Sequence, residues 1–217
     1  MNKIVPLKKN ANPARPLHSL KQISADADVL VSRYTEICDL YDRVRKKIEA
    51  MPHTSAQLDQ LFARAKITAT LSERDEILLR RCTPALRVFD AAEYYEDDNL
   101  EGRLRRSVIG ERVAMLVGAF PNGATSDPSV YVRMMIEGVS AIDELILPAL
   151  DAAVFEIVAT QKFLPTISEV LQVVNAQRLP WNEKSWAIRA LADESIRVLG
   201  WLEELRLETQ RQWRKKA

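Results

Sequence analysis

Apolar positions in this chain recur every three or four residues and nowhere keep up an every-second-residue pattern. From Leu30, the positions Tyr34, Ile37, Tyr41, Val44 and Ile48 follow at steps of 4, 3, 4, 3 and 4, which places all six on one helical face. Asp26 and Asp28 near the start and Arg43, Arg45, Lys46 and Lys47 near the end suit the helix macrodipole. Met51-Pro52 ends this helix. A second seam, Ile188, Leu191, Ser195, Val198, Leu202 and Leu205, steps 3, 4, 3, 4 and 3, with Leu199 and Trp201 beside it. The two seams can pack on each other or self-associate into a homo-oligomer, and heptad faces do not decide between these.

Between the seams the pattern predicts further helices separated by turn signals. One covers about Ser55 to Ala69, and Ser72 with Asp75 and Glu76 opens another as far as Arg81. Thr83-Pro84 reads as cap and first residue of a helix through Tyr95. Arg103 to Ala119 carries Leu104, Val108, Val113, Leu116 and Val117 and stops at Phe120-Pro121-Asn122-Gly123. Asp127-Pro128 restarts a helix with Val130, Tyr131, Met134, Met135 and Val139. Pro148 opens the next, with Leu150, Val154, Ile157 and Val158 inward. In Pro-Thr-Ile-Ser-Glu-Val, Thr166 and Glu169 form a capping box and Pro165 faces Val170 as a staple, for a helix to about Asn175. After Leu179-Pro180-Trp181-Asn182 a last long helix runs to the C-terminus. No sheet is expected. The fold class is all-α, a multi-helix bundle with long heptad-patterned helices toward both ends. Its regions are 1–22, a flexible basic arm; 23–110, helical; 111–180, a second helical domain; and 181–217, the long C-terminal helix with a basic end.

Composition adds limits. The chain has 217 residues, 47% of them hydrophobic and 28% charged, enough for one core or a core with helical appendages. A net charge of +1 provides no global pull toward nucleic acid, so any such attraction is local. Lys3, Lys8, Lys9, Arg15 and Lys21 lie in a stretch without acids and with Pro6, Pro13 and Pro16. These five are the candidate nucleic-acid contacts. No apolar run is long enough for a membrane span, and the N-terminal stretch has no apolar signal-peptide region. Cys38 and Cys82 then read as reduced thiols, and the chain is placed in the cytoplasm of a bacterial host cell.

Candidate chemistry is sparse. No glycine precedes Lys-Ser or Lys-Thr, and GxGxxG and HExxH are absent. His18 and His53 have no zinc-ligand spacing, and a Cys–His pair would have to be assembled from Cys38 or Cys82 with His53. The acidic run Glu93, Glu96, Asp97, Asp98 and Glu101, followed by Arg103, Arg105 and Arg106, lacks the glycine of a calcium loop and reads as a solvated turn. No catalytic residue, cofactor or metal is expected, and the chain is read as not an enzyme. Trp181, Trp186, Trp201 and Trp213 serve either as core or as interface anchors. Trp186, Trp201 and Trp213, with Arg211, Arg214, Lys215 and Lys216, are the candidate partner contacts. Thr166 to Arg189 also scans as helix-turn-helix, but the stretch from Asn175 to Pro180 is too long for the usual tight turn.

The succession VAMLVGAFPNG, DPSVYVRMMIEGVS and LDAAVFEIVATQKFLPTISEVLQVV resembles phage and prophage replication proteins of the helicase-loader/inhibitor type. The matching positions are Phe120, Pro121, Tyr131, Lys162, Phe163, Pro165, Thr166 and Glu169, and the resemblance covers about residues 112–175. It implies a small helical domain without ATPase activity that binds a hexameric replicative helicase and delivers or restrains it at an origin. The leading expectation is therefore a non-catalytic adaptor with a protein partner. The alternatives are a nucleic-acid-binding regulator using the basic termini, or an inhibitor that occupies the surface of a host or defence complex.

Overall fold

The computed structural model describes residues 15–50, 54–86, 88–89, 100–121 and 127–216. These form α1 (Arg15–Cys38), α2 (Leu40–Ala50), α3 (Ser55–Ala69), α4 (Glu73–Ala85), α5 (Leu100–Gly118), α6 (Pro128–Ser140), α7 (Leu147–Thr160) and α8 (Ile167–Lys216). The all-α class holds. A two-residue antiparallel ladder, which alternation could not reveal, pairs β1 (Val88–Phe89) with β2 (Leu145–Ile146), Val88 opposite Ile146.

The first seam buries Leu30, Ile37 and Val44 as its spacing requires. It is carried by two helices, because the helix breaks at Asp39, although Asp39 and Arg43 still donate helical bonds to Thr35 and Asp39 at 3.1 Å. α1 starts at Arg15, inside the stretch expected to be a flexible arm. The expected helix start at Thr83-Pro84 is instead the last turn of α4. Near a C-terminus the missing proline N–H costs one bond only, since the helix ends a residue later.

The largest departure is at Pro180. The chain does not turn there; α8 is one helix of 50 residues running through it, so the helix-turn-helix scan does not hold. Val170, Val174, Trp181, Ser185, Ile188, Leu191, Ser195, Val198 and Leu202 are all buried, so one seam continues on both sides of the proline. Ala176 and Pro180 are exposed, and the carbonyl left without a donor lies on the solvent side. An interior proline costs about 3 kcal/mol. Losing a buried tryptophan costs about 3–5 kcal/mol, so the burial of Trp181 alone offsets it.

α8 is shared. Its first part packs on α6 and α7, where Gln177 donates to Glu156 at 2.7 Å. Its second part packs on α1, α2, α3 and α4. Ser185 donates to the Leu86 carbonyl at 2.8 Å and Ser195 to that of Ala69 at 2.7 Å, so α8 satisfies the open C-terminal ends of α4 and α3. The two heptad seams meet in one core with Ile109, Val113, Leu116, Met135 and Leu150. α5 and α8 each cross a boundary expected between regions, at 110 and at 180.

Two inward faces differ from expectation. On α5 the buried positions are Arg105, Ile109, Val113 and Leu116, with Val108 half-buried. Arg105, expected at a solvated turn, is 1% exposed and donates to the carbonyls of Ser140 and Ile142 at 3.1 and 3.0 Å. On α7, Val158 is exposed while Leu150, Val154 and Ile157 are buried. The acidic run Glu93, Glu96, Asp97 and Asp98 and the side chain of Glu101 lie outside the described residues.

Candidate partner-binding surface

With one face of α8 committed to the core, its other faces decide which tryptophans are accessible. Trp181 faces inward and is buried, with the Lys184 ammonium 4.9 Å from its ring. Lys184 reaches back to Asp28 at 2.7 Å, holding α1 against α8. Trp186 and Trp201 lie fifteen residues apart, close to four helical turns, and so share the flank of α8 beside α1 and α2. Trp186 is 60% exposed and Trp201 39% exposed. Each is held edge-on by a tyrosine: Tyr34 at 5.5 Å and 78° for Trp186, and Tyr41 at 5.6 Å and 62° for Trp201. Such pairs are worth about 0.5–1.5 kcal/mol beyond their buried area, which fixes ring orientation without covering the outer faces.

A charged group sits between the pairs. The Arg197 guanidinium lies 4.7 Å from the Trp201 ring and forms an ion pair with Glu194, a buried carboxylate. Burial first, then neighbouring Cys38, push the Tyr34 hydroxyl up to about 12, so it stays a neutral donor at physiological pH. The result is a ridge of Tyr34, Trp186, Arg197, Trp201 and Tyr41. Arg and aromatic residues on rigid backbone are the composition of interface anchors.

The other candidate residues are dispersed. Trp213 is 42% exposed and lines a cleft of about 250 Å³ with Leu58 and Phe62 of α3. It does not join the ridge, because its twelve-residue offset from Trp201 carries it to another side of the helix. Arg211, Arg214 and Lys215 are exposed at the end of α8, which Lys216 closes. Lys21 is exposed on α1 and Arg15 opens that helix, whereas Lys3, Lys8 and Lys9 lie outside the described residues. Lys184 contacts Ser24, so about 40 Å of α8, at 1.5 Å per residue, separates the neighbourhood of Lys21 from Arg211. The two basic ends therefore do not form one patch.

Of the residues that carry the loader resemblance, Tyr131, Pro165, Thr166 and Glu169 meet at the start of α8, whereas Phe120 and Pro121 follow α5. Thr166 and Glu169 make the capping box, with Thr166 N–H to Glu169 at 2.7 Å and Glu169 N–H to the Thr166 hydroxyl at 3.3 Å. The Tyr131 hydroxyl donates to the Pro165 carbonyl at 2.5 Å, and Pro165 and Val170 are both buried. Phe163 is 79% exposed in the turn before α8. Cys38 and Cys82 are free thiols, as read from sequence, and burial pushes that of Cys82 up. Among the described residues no group of three or more His, Cys, Asp or Glu could hold a metal ion, and no helix is long and apolar enough to cross a membrane.

Sequence reasoning named Trp186 and Trp201 but missed their tyrosine partners and Arg197. The signal was present in part, since Tyr34 and Tyr41 are the two polar-tipped members of the first seam. Comparison with protein-family models, with curated proteins and with solved structures found no match for the chain.

Proposed function

We propose that this chain is a non-catalytic helical adaptor that acts by binding a protein partner across the ridge of Tyr34, Trp186, Arg197, Trp201 and Tyr41. The observation that supports it is the pair of outward tryptophans, each clamped by a tyrosine on the most extensively packed helix. Pre-set aromatic side chains lose little conformational freedom on binding, which is what an anchor residue requires. The partner to test first is a bacterial hexameric replicative helicase, the partner that the phage and prophage loader resemblance implies. In that reading the hydrogen-bonded corner of Tyr131, Pro165, Thr166 and Glu169 is scaffold, and the ridge on α8 makes the contact.

The test is light scattering after size exclusion, with and without the helicase, at low and high salt. A complex that survives high salt and is weakened at least about thirtyfold by Trp186→Ala with Trp201→Ala, about 2 kcal/mol for a hot-spot truncation, supports the adaptor. A complex indifferent to both substitutions sinks the ridge. No complex, with a DNA fragment shifted only at low salt, moves the function to a nucleic-acid-binding regulator.

A further inference from the structure

The strongest feature outside the ridge lies on another flank of α2, toward α3. Tyr41 turns toward α8, while Leu40, Arg43, Val44 and Lys47 border a groove of about 500 Å³ between α2 and α3. Its floor is apolar: Leu40, Val44 and Ala65 are buried and Leu61 is half-buried. Its rim is cationic, with Arg43, Lys47 and Arg64 all exposed. Glu36 is the acid bordering it, and that carboxylate already pairs with Arg33 at 2.5 Å. Arg43 is held over the groove by donating to the Glu36 backbone carbonyl at 2.7 Å, a neutral acceptor that leaves its charge uncompensated.

We infer that this groove is a second docking site, and that it takes an acidic amphipathic helix of a protein partner. An apolar floor between two helices offers the geometry in which a third helix inserts anchors at i, i+3 or i+4 and i+7. Leu40 to Ala50 spans about 15 Å at 1.5 Å per residue, room for about three turns. Charge complementarity decides the sign of the occupant, because Arg43 and Arg64 flank the floor from the two helices and the bordering acid is engaged. A phosphate backbone fits less well. The outer face of α2 interleaves Asp42 and Glu49 with its cations, and Arg45 is paired with Glu49 at 3.0 Å. This site is independent of the ridge, so the adaptor would hold two partner segments on different flanks of α2.

The experiment uses the full chain and a fluorescein-labelled helical peptide of about 14 residues, with leucines at i, i+3, i+7 and i+10 and glutamates on the flanks. Three controls accompany it: the same peptide with lysines for glutamates, a scrambled version of equal composition, and a short DNA duplex. Anisotropy is expected to show saturable binding of the acidic peptide alone, weakened at least about tenfold by Arg43→Glu with Arg64→Glu. Trp186→Ala with Trp201→Ala should leave that binding unchanged, which separates failure of this site from failure of the ridge. Hydrogen exchange on the unaltered chain should gain protection across α2 and α3 when the peptide is added, a readout that does not depend on any variant folding. Equal binding of the scrambled or lysine peptide, no effect of the charge reversal, or displacement of the acidic peptide by DNA would each overturn the inference.

Discussion

Ser195 and Ser185 look unremarkable in sequence, one as a polar gap in a heptad seam and the other as a helix-surface residue. In the folded chain both are buried and both donate to carbonyls at helix C-termini, those of Ala69 and Leu86. Ser195→Ala removes the donor while leaving the buried carbonyl, so the expected loss is about 1–3 kcal/mol, read as a lower urea midpoint at unchanged slope. Ser185→Ala should behave alike. Tyr34 gives a pH prediction of definite sign. Its folded value is raised to about 12 from an ordinary 10, so its stabilising contribution is complete below pH 10 and is lost between pH 10 and 12. The stability difference between the wild type and Tyr34→Phe should therefore shift across that window in favour of the phenylalanine variant; a difference that stays flat would contradict it. At this scale, local chemistry was readable from sequence and tertiary chemistry was not. The boxes at Ser72 and Thr166 need only neighbours three residues away. Arg105 misled because its partners, Ser140 and Ile142, are far along the chain, and a buried cation hides an inward face from any hydropathy pattern.

Helices were legible wherever an apolar face repeated, and their ends only where a stop signal was not overridden. Thr-Pro fits both the first turn of one helix and the last turn of another, and sequence alone took the wrong one at Thr83-Pro84. Pro180 was read as a break because its local cost is real, but Trp181 next to it is buried on a seam that runs from Val170 to Leu202. Neither groove nor ridge could be read from one helix at a time, since the groove lies between two helices and the ridge draws on three. Gly200 makes an element-level prediction. It lies in the middle of α8, and a Cβ there would meet nothing within 4 Å. Gly200→Ala should stabilise the chain by about 1 kcal/mol, measured as a rise in the thermal midpoint.

For the molecule as a whole, α8 is the element without which neither half of the core closes. Its second part covers α1, α2, α3 and α4, so a chain ended after Leu179 should lose cooperative unfolding rather than merely lose a partner contact. Circular dichroism during heating would read this as a broad, sloping melt, and a sharp two-state transition would contradict it. Partner binding therefore has to be tested with point substitutions. Among the described residues, the neighbourhood of Lys21 on α1 and Arg211 on α8 lie about 40 Å apart along α8, so these two basic groups do not form one patch.

The same shared helix dictates an order of events during synthesis. Lys184 closes on Ser24 across 160 positions of sequence, and Ser195 on Ala69 across 126. While the ribosome is still extending the chain, α1 and α2 are already out, and the part of their cover that α8 supplies is made after every other described helix. Among the described helices, the two made first are thus completed only when the one made last has arrived. Contacts this distant in sequence form slowly, so the seam of α1 and α2 stays partly open until α8 has been made and has folded back onto it.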